Sequence, residues 1–213
     1  METWTYQLNF NSPVSVFSGN GVAGLVDRQI MRNARGLPVI PGSTIKGRWR
    51  YSALRLLSSA PKTLGLSFHS EGSPQCKTHE SACTICRLFG SPAIRAAVWV
   101  GQAELDPKLL NKVLELVSGN KNPVINEDVE IRPGIAISRR RRTPVPNHLF
   151  YDEAAPAGYV FTGIIRVLFP ITDVERKFLI GAARHMDRIG ARKAVGRGVL
   201  EGGMIIQTGG TES

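Results

Sequence analysis

The 213-residue sequence predicts an α+β domain whose core runs strand, helix, strand, strand, helix, strand. Three patterns carry that prediction. Trp4, Tyr6, Leu8 and Phe10 alternate with Thr5, Gln7, Asn9 and Asn11, the period-two mark of a half-buried strand, expected over residues 4–17. Ile45, Trp49, Ala53, Leu56 and Leu57 recur at helical spacing, as do Phe178, Leu179, Ala182, Met186 and Ile189. Strand character returns over 94–105, 158–170 and 198–207, bounded by glycine and proline.

Between the first strand and the first helix lie a glycine-dotted loop, residues 19–24, Asp27, and Gly36-Leu37-Pro38-Val39-Ile40-Pro41-Gly42. Ser43 or Thr44 is placed to cap the helix. Lys46 and Arg50 follow one turn apart with Arg48 close by, so cationic side chains and free backbone N–H groups converge where an anion would sit. A further helix is expected over 107–117, and Asp173 is placed to cap the last one. Residues 120–159, rich in Pro, Asn and Arg, do not suit a compact core. With its insertions removed, the order is that of a ferredoxin-like (RRM-like) βαββαβ palm, in a single domain spanning 1–213.

Twenty-seven Lys and Arg against 17 Asp and Glu leave a net charge of +10, so the expected partner is a polyanion, bound with counterion release. No apolar run is long enough to cross a bilayer and the N-terminus has no secretory pattern, which predicts a cytoplasmic protein without a membrane partner.

Two insertions carry chemistry. In residues 61–92, Cys76, His79, Cys83 and Cys86 form C-x2-H-x6-C-x2-C and include every cysteine of the chain. Three thiolates and one imidazole suit tetrahedral zinc, and four protein ligands make the site structural rather than catalytic. His69 is an alternative to His79. In residues 120–158, a strand-like stretch containing Arg132 runs into Arg139, Arg140, Arg141 and Arg142, then Pro144, Pro146 and the aromatic-rich His148-Leu149-Phe150-Tyr151. With residues 159–161 as the return strand, this makes a projecting hairpin able to follow a phosphate backbone and wedge between bases. Near the C-terminus, Gly190, Arg192, Lys193, Gly196, Arg197 and Gly198 form a cationic glycine loop suited to holding phosphates.

Residues 36–47, Cys86-Arg87-Leu88-Phe89-Gly90, residues 131–139 and the terminal glycine loop together resemble the RAMP superfamily of CRISPR-associated proteins, above all the backbone, target-RNA-cleaving subunit of type III effector complexes. The resemblance covers nearly the whole chain. It implies a palm, a thumb-like hairpin, copies stacked along a guide crRNA, other effector subunits as partners, and a complementary target RNA. It also implies that an aspartate after the first strand cuts that target, the position held here by Asp27. The enzyme would then be an endoribonuclease active within a complex, with Asp27 binding hydrated Mg²⁺ while the RNA's 2′-hydroxyl attacks the adjacent phosphate. Two alternatives stay open: a guide-holding subunit that cuts nothing, and a metal-free endoribonuclease that processes guide precursors, for which His148 and His185 are the acid–base candidates.

Overall fold

The computed structural model describes residues 2–59, 65–69, 76–119 and 128–209. Its elements are β1 (Glu2–Phe10), α1 (Gly42–Ser59), α2 (Thr84–Phe89), β2 (Val98–Val100), β3 (Glu104–Leu105), α3 (Pro107–Gly119), β4 (Glu130–Ile137), β5 (Pro144–Ala154), β6 (Val160–Val167), α4 (Asp173–Arg184) and β7 (Leu200–Thr208). The main sheet is antiparallel in the order β2-β6-β1-β7, with β3 also on β6, while β4 and β5 form a separate two-stranded sheet. This is a mixed α/β architecture, as the sequence patterns predict.

Period-two alternation in β1 puts Trp4, Tyr6, Leu8 and Phe10 on one face, all buried. Ile45, Trp49, Ala53 and Leu57 of α1 and Phe178, Leu179 and Ala182 of α4 cover that face. Each large side chain removed from water contributes about 1.5–3 kcal/mol. Two bonds cross-tie the helices: Trp49 Nε1 donates to the Leu179 carbonyl at 3.0 Å and Ser52 Oγ to the Ala182 carbonyl at 2.8 Å. The Tyr6 hydroxyl donates to the Gly101 carbonyl at 2.8 Å, and burial pushes its pKa up.

Several boundaries differ from expectation. β1 stops at Phe10 rather than 17, because Pro13 has no N–H to continue the ladder; Val14 and Phe17 instead bridge Ala155 and Ile30. The strand expected over 94–105 breaks into β2 and β3 around Gly101, whose N–H still bonds the Ile164 carbonyl at 2.8 Å. α1 begins at Gly42, before Ser43 and Thr44. A Cβ at Gly42 would strike the Val100 carbonyl, so this glycine serves packing against β2. α4 is capped by Thr172 in a capping box with Glu175, one residue ahead of the expected Asp173. The partner of β4 is β5, residues 144–154, whereas residues 160 and 161 belong to β6 of the main sheet. Pro144 and Pro146 fit in β5 because they lie at its start, where the strand pairs with β4 on one side only. Parts of both insertions, residues 60–64, 70–75 and 120–127, lie outside the described residues.

Candidate nucleic-acid interface and metal centre

Asp27 lies at the root of the β4–β5 hairpin. The Tyr151 N–H donates to Asp27 Oδ2 at 2.6 Å, and the Asp27 N–H returns a bond to the Tyr151 carbonyl at 2.9 Å. The chain then runs alongside β5: Arg28 bridges Asp152, and the Glu153 N–H bonds the Arg28 carbonyl at 2.9 Å. Glu153 is itself buried and accepts from the Ile30 N–H at 3.1 Å. An exposed carboxylate is thereby held at a fixed place on an otherwise glycine-rich loop.

Beneath Asp27, Asp152 is fully buried and gathers three guanidinium groups. Arg28 Nε lies 2.9 Å from Oδ1, Arg192 Nε 3.0 Å from Oδ2 and Arg197 Nη1 3.6 Å from Oδ2. Arg28 and Arg192 also face the Phe150 ring, at 5.0 and 4.3 Å from its centroid. Phe150 in turn lies over Gly134, where any Cβ would collide with the ring. Burial lowers the Arg197 pKa even with Asp152 beside it. Arg192 and Arg197, expected as phosphate contacts, thus have an internal carboxylate partner and join the glycine loop to the hairpin. The sequence reading did not identify Arg28 or Asp152; the available signal was an acidic residue following two aromatics in an arm otherwise rich in arginine.

The glycine loop also uses its amides internally. The N–H groups of Ala191, Val195, Gly196, Arg197 and Gly198 bond the carbonyls of Ser15, Arg192, Lys193, Arg192 and Pro13. A Cβ at Gly190 would lie 2.5 Å from the Ser15 carbonyl oxygen, and one at Gly198 would collide with that of Ile189. Both glycines answer a packing demand, whereas Gly196, at φ 84°, has open space before it. What the loop offers a ligand is therefore mainly side-chain charge and shape.

An open groove of about 790 Å³ runs between this loop and α1, lined by Phe17, Ser43, Gly47, Arg48, Gly190 and Lys193 among others. It brings together Ser43, Arg48, Gly190 and Lys193 of the expected set. Arg48 is anchored there, donating to the Arg188 carbonyl at 2.7 Å and to Asp187 Oδ1 at 2.6 Å while lying over the Tyr51 ring. Lys46 and Arg50 do not line the groove. Arg50 donates to the Gly90 carbonyl at 2.8 Å, and Lys46 is half-buried, its pKa lowered by burial and by the Arg50 charge. Arg139, Arg140, Arg141 and Arg142 are all exposed on the hairpin turn, closed by the Arg142 N–H on the Ser138 carbonyl at 2.7 Å. Arg132, lower on the hairpin, pairs with Glu130. His148 bonds the Pro146 carbonyl and His185 caps α4; among the described residues no hydrogen bond joins these two.

His69, Cys76, Cys83 and Cys86 bring their ligand atoms within 4.8 Å of one another. His69 Nδ1 lies 3.8, 3.4 and 3.9 Å from the sulfurs of Cys76, Cys83 and Cys86. Tetrahedral zinc with bonds of about 2.0–2.3 Å requires ligand separations of roughly 3.5–3.8 Å, so the donor set and its size both fit that ion. This corrects the expectation for His79, which sits exposed in the turn between the ligand pairs, its carbonyl accepting from the Ala82 N–H. The Cys83 N–H, donating to Cys76 Sγ at 3.3 Å, holds the Cys76 thiol below its ordinary pKa, while burial pushes that of Cys83 up to about 11. Cys83 caps α2, whose Arg87 pairs with buried Glu175 of α4 and whose Phe89 packs edge-on against Trp49 at 5.3 Å. The cluster is thus joined directly to the core.

No described helix is long and apolar enough to cross a membrane. No curated protein matches the sequence. In structure the chain is similar to a chain of the type III-B Cmr-beta bound to cognate target RNA, seen by cryo-EM, with a TM-score of 0.63, 12% identity and 97% of each chain covered. It is similar to a chain of the apo-state Cmr-beta structure with a TM-score of 0.61 and 14% identity, again over 97% of each. At such identities the likeness concerns the fold. The RAMP superfamily model, however, matches residues 8–201, taking in the end of β1, the groove, the hairpin and the glycine loop, and on that extent the chain belongs to the RAMP superfamily.

Proposed function

We propose that the chain is a crRNA-binding backbone subunit of a type III CRISPR effector that stacks in copies along the guide and cuts complementary target RNA at Asp27. The observation that carries this reading is the bond from the Tyr151 amide to Asp27 Oδ2, which stations one carboxylate where the arginine-tipped hairpin leaves the body. The sheet order β2-β6-β1-β7 with helices on one face supports a ferredoxin-like palm, and the groove along α1 supports a strand of guide lying beside the glycine loop. The similar Cmr-beta chain, in a structure with cognate target RNA, supports RNA and fellow effector subunits as partners. Zinc in the His69–Cys76–Cys83–Cys86 cluster is structural in this reading.

Cleavage is intramolecular to the RNA: its 2′-hydroxyl oxygen bonds to the adjacent phosphorus as the bond to the 5′-oxygen breaks, leaving a cyclic phosphate and a 5′-hydroxyl. The protein's part is to hold the linkage in line and to set charge beside it. The Tyr151 amide occupies Asp27 Oδ2, which leaves Oδ1 for the substrate side. A single carboxylate fits Mg²⁺ only together with RNA phosphates and water, and Mg²⁺ bound there would offset the charge that develops on the phosphate. Sequence choice rests on pairing with the guide.

The test is Asp27→Ala in the purified complex, given matched target RNA with Mg²⁺ or with chelator. Cleavage lost with binding intact is the expected result. Undiminished cleavage sinks the assignment, and lost binding makes Asp27 a structural residue of the hairpin root. Cuts in the guide precursor that persist in chelator would favour the processing enzyme, and none in the wild type a guide-holding subunit.

A further inference from the structure

Helices α1 and α4 cover one face of the main sheet and leave the opposite face open. Thr3, Thr5 and Gln7 of β1, Thr162, Ile164 and Arg166 of β6, and Gln207 of β7 alternate with the buried residues and are exposed or half-buried. A shallow dip of about 320 Å³ lies among Thr5, Gln7, Thr162, Ile164, Ile205 and Gln207. Its hydroxyls and carboxamides offer both donors and acceptors. At the β2 edge, Trp99 is 44% exposed and pairs directly opposite Arg166, whose guanidinium lies 5.2 Å from the indole centroid. Gly101 makes room for that indole, since a Cβ there would come within 3.3 Å of Trp99 Cη2. Next to the same strand pair, Phe169 is 40% exposed with the Arg95 guanidinium 5.7 Å from its ring.

These two arginines differ from those around Asp152 and in the groove along α1. Arg28, Arg48, Arg192 and Arg197 each have a carboxylate within ion-pair distance, whereas among the described residues neither Arg95 nor Arg166 has one. Glu104, at the β3 end of this face, is engaged by the Gln102 carboxamide at 3.3 Å. Exposed rings beside unspent guanidinium groups, next to a polar rather than apolar centre, match unpaired nucleotides better than a protein surface. Rings and guanidinium planes stack on bases, the cations meet phosphate, and the amides meet base edges. We propose that this open sheet face, with Trp99 and Arg166 at its head and Arg95 with Phe169 just past the same ends of β2 and β6, is a second RNA surface that takes an unpaired single-stranded segment, separate from the groove along α1.

The three tryptophans make the test direct, because Trp4 and Trp49 are fully buried and Trp99 alone reaches solvent. Acrylamide quenching of the full-length protein, or of the purified complex, therefore reads Trp99. Oligouridine is expected to quench its emission and to shield it from acrylamide. Trp99→Ala should lower oligouridine affinity, read by anisotropy, about fivefold or more, and Trp99→Phe should restore most of it. Arg166→Ala should lessen the salt dependence of binding by about one phosphate contact. An unchanged melting temperature in each variant keeps these readings separate from misfolding. Oligouridine that binds by anisotropy yet leaves Trp99 as quenchable as before overturns the proposal. So does shielding that grows with protein concentration in the absence of RNA, which would mark the face as a contact between copies. Neither outcome depends on whether Asp27 cuts.

Discussion

Arg192 and Asp152 join the two segments that carry the site, the glycine loop and the hairpin root, through a 3.0 Å bond from Nε to a carboxylate with no exposed surface. Arg28 and Arg197 share the same acid, so its charge holds three cations that would otherwise repel one another. Removing one partner of a fully enclosed pair costs about 3–5 kcal/mol, and because Arg28 and Arg192 reach solvent a smaller loss of about 2 kcal/mol is expected here. Asp152→Asn should lower the urea midpoint accordingly. A midpoint equal to wild type would show that the three arginines do not depend on that charge.

The loop glycines should separate into two classes. Gly196 and Gly198 both have positive φ, 84° and 69°, so alanine strains either backbone by about 1 kcal/mol. At Gly196 nothing stands within 4 Å of the new methyl, whereas at Gly198 it strikes the Ile189 carbonyl. Gly198→Ala should therefore destabilise the protein by at least about 1 kcal/mol more than Gly196→Ala in thermal or urea unfolding. Equal losses would mean that the loop shifts to absorb the clash.

The same loop shows how far sequence reasoning reaches. Its glycines and cations are visible as a pattern, but whether a glycine serves a ligand or a neighbouring carbonyl depends on which segment packs against it, and Ser15 and Ile189 are not marked for that role. The first strand of the main sheet was legible because one buried face imposes strict alternation on β1. α2 was not, since it has six residues and its cap is the thiol of Cys83 rather than a hydroxyl or carboxylate. β5 was missed because Pro144 and Pro146 argue against a strand, an objection that loses force where only one edge is paired. Asp27 was picked out by resemblance alone. Its anchor, the Tyr151 amide, is a backbone group that no side-chain pattern records.

The metal centre gives a direct contrast between two histidines. His69→Ala removes one of the cluster's four donor groups and should lower zinc retained through gel filtration from about one per chain to well below that, together with the melting temperature, because α2 is tied through Arg87 to Glu175. His79→Ala should leave zinc content and melting unchanged. The reverse result, measured by elemental analysis, would return the fourth position to His79.

Lys46 supplies a pH dependence with a definite sign. Burial first, and the Arg50 charge second, lower its pKa from the usual lysine value of 10.5, so the free protein gives up this proton at a lower pH than an ordinary lysine does. A phosphate beside the ammonium favours the charged form and raises the pKa again. Binding a nucleic-acid strand through Lys46 therefore takes up a proton in the window below 10.5, and affinity should fall as pH rises through it. Folding stability moves the other way, because in that window the unfolded chain holds the proton more firmly than the folded one. A DNA oligonucleotide, which survives alkali, allows the affinity to be followed by anisotropy across the range. Lys46→Arg, always charged, should bind with a flatter pH profile, and Lys46→Ala should bind more weakly with a salt slope smaller by about one. Identical pH profiles for wild type and Lys46→Arg would remove Lys46 from the phosphate contacts and leave the grip to Arg48, Lys193 and the hairpin arginines.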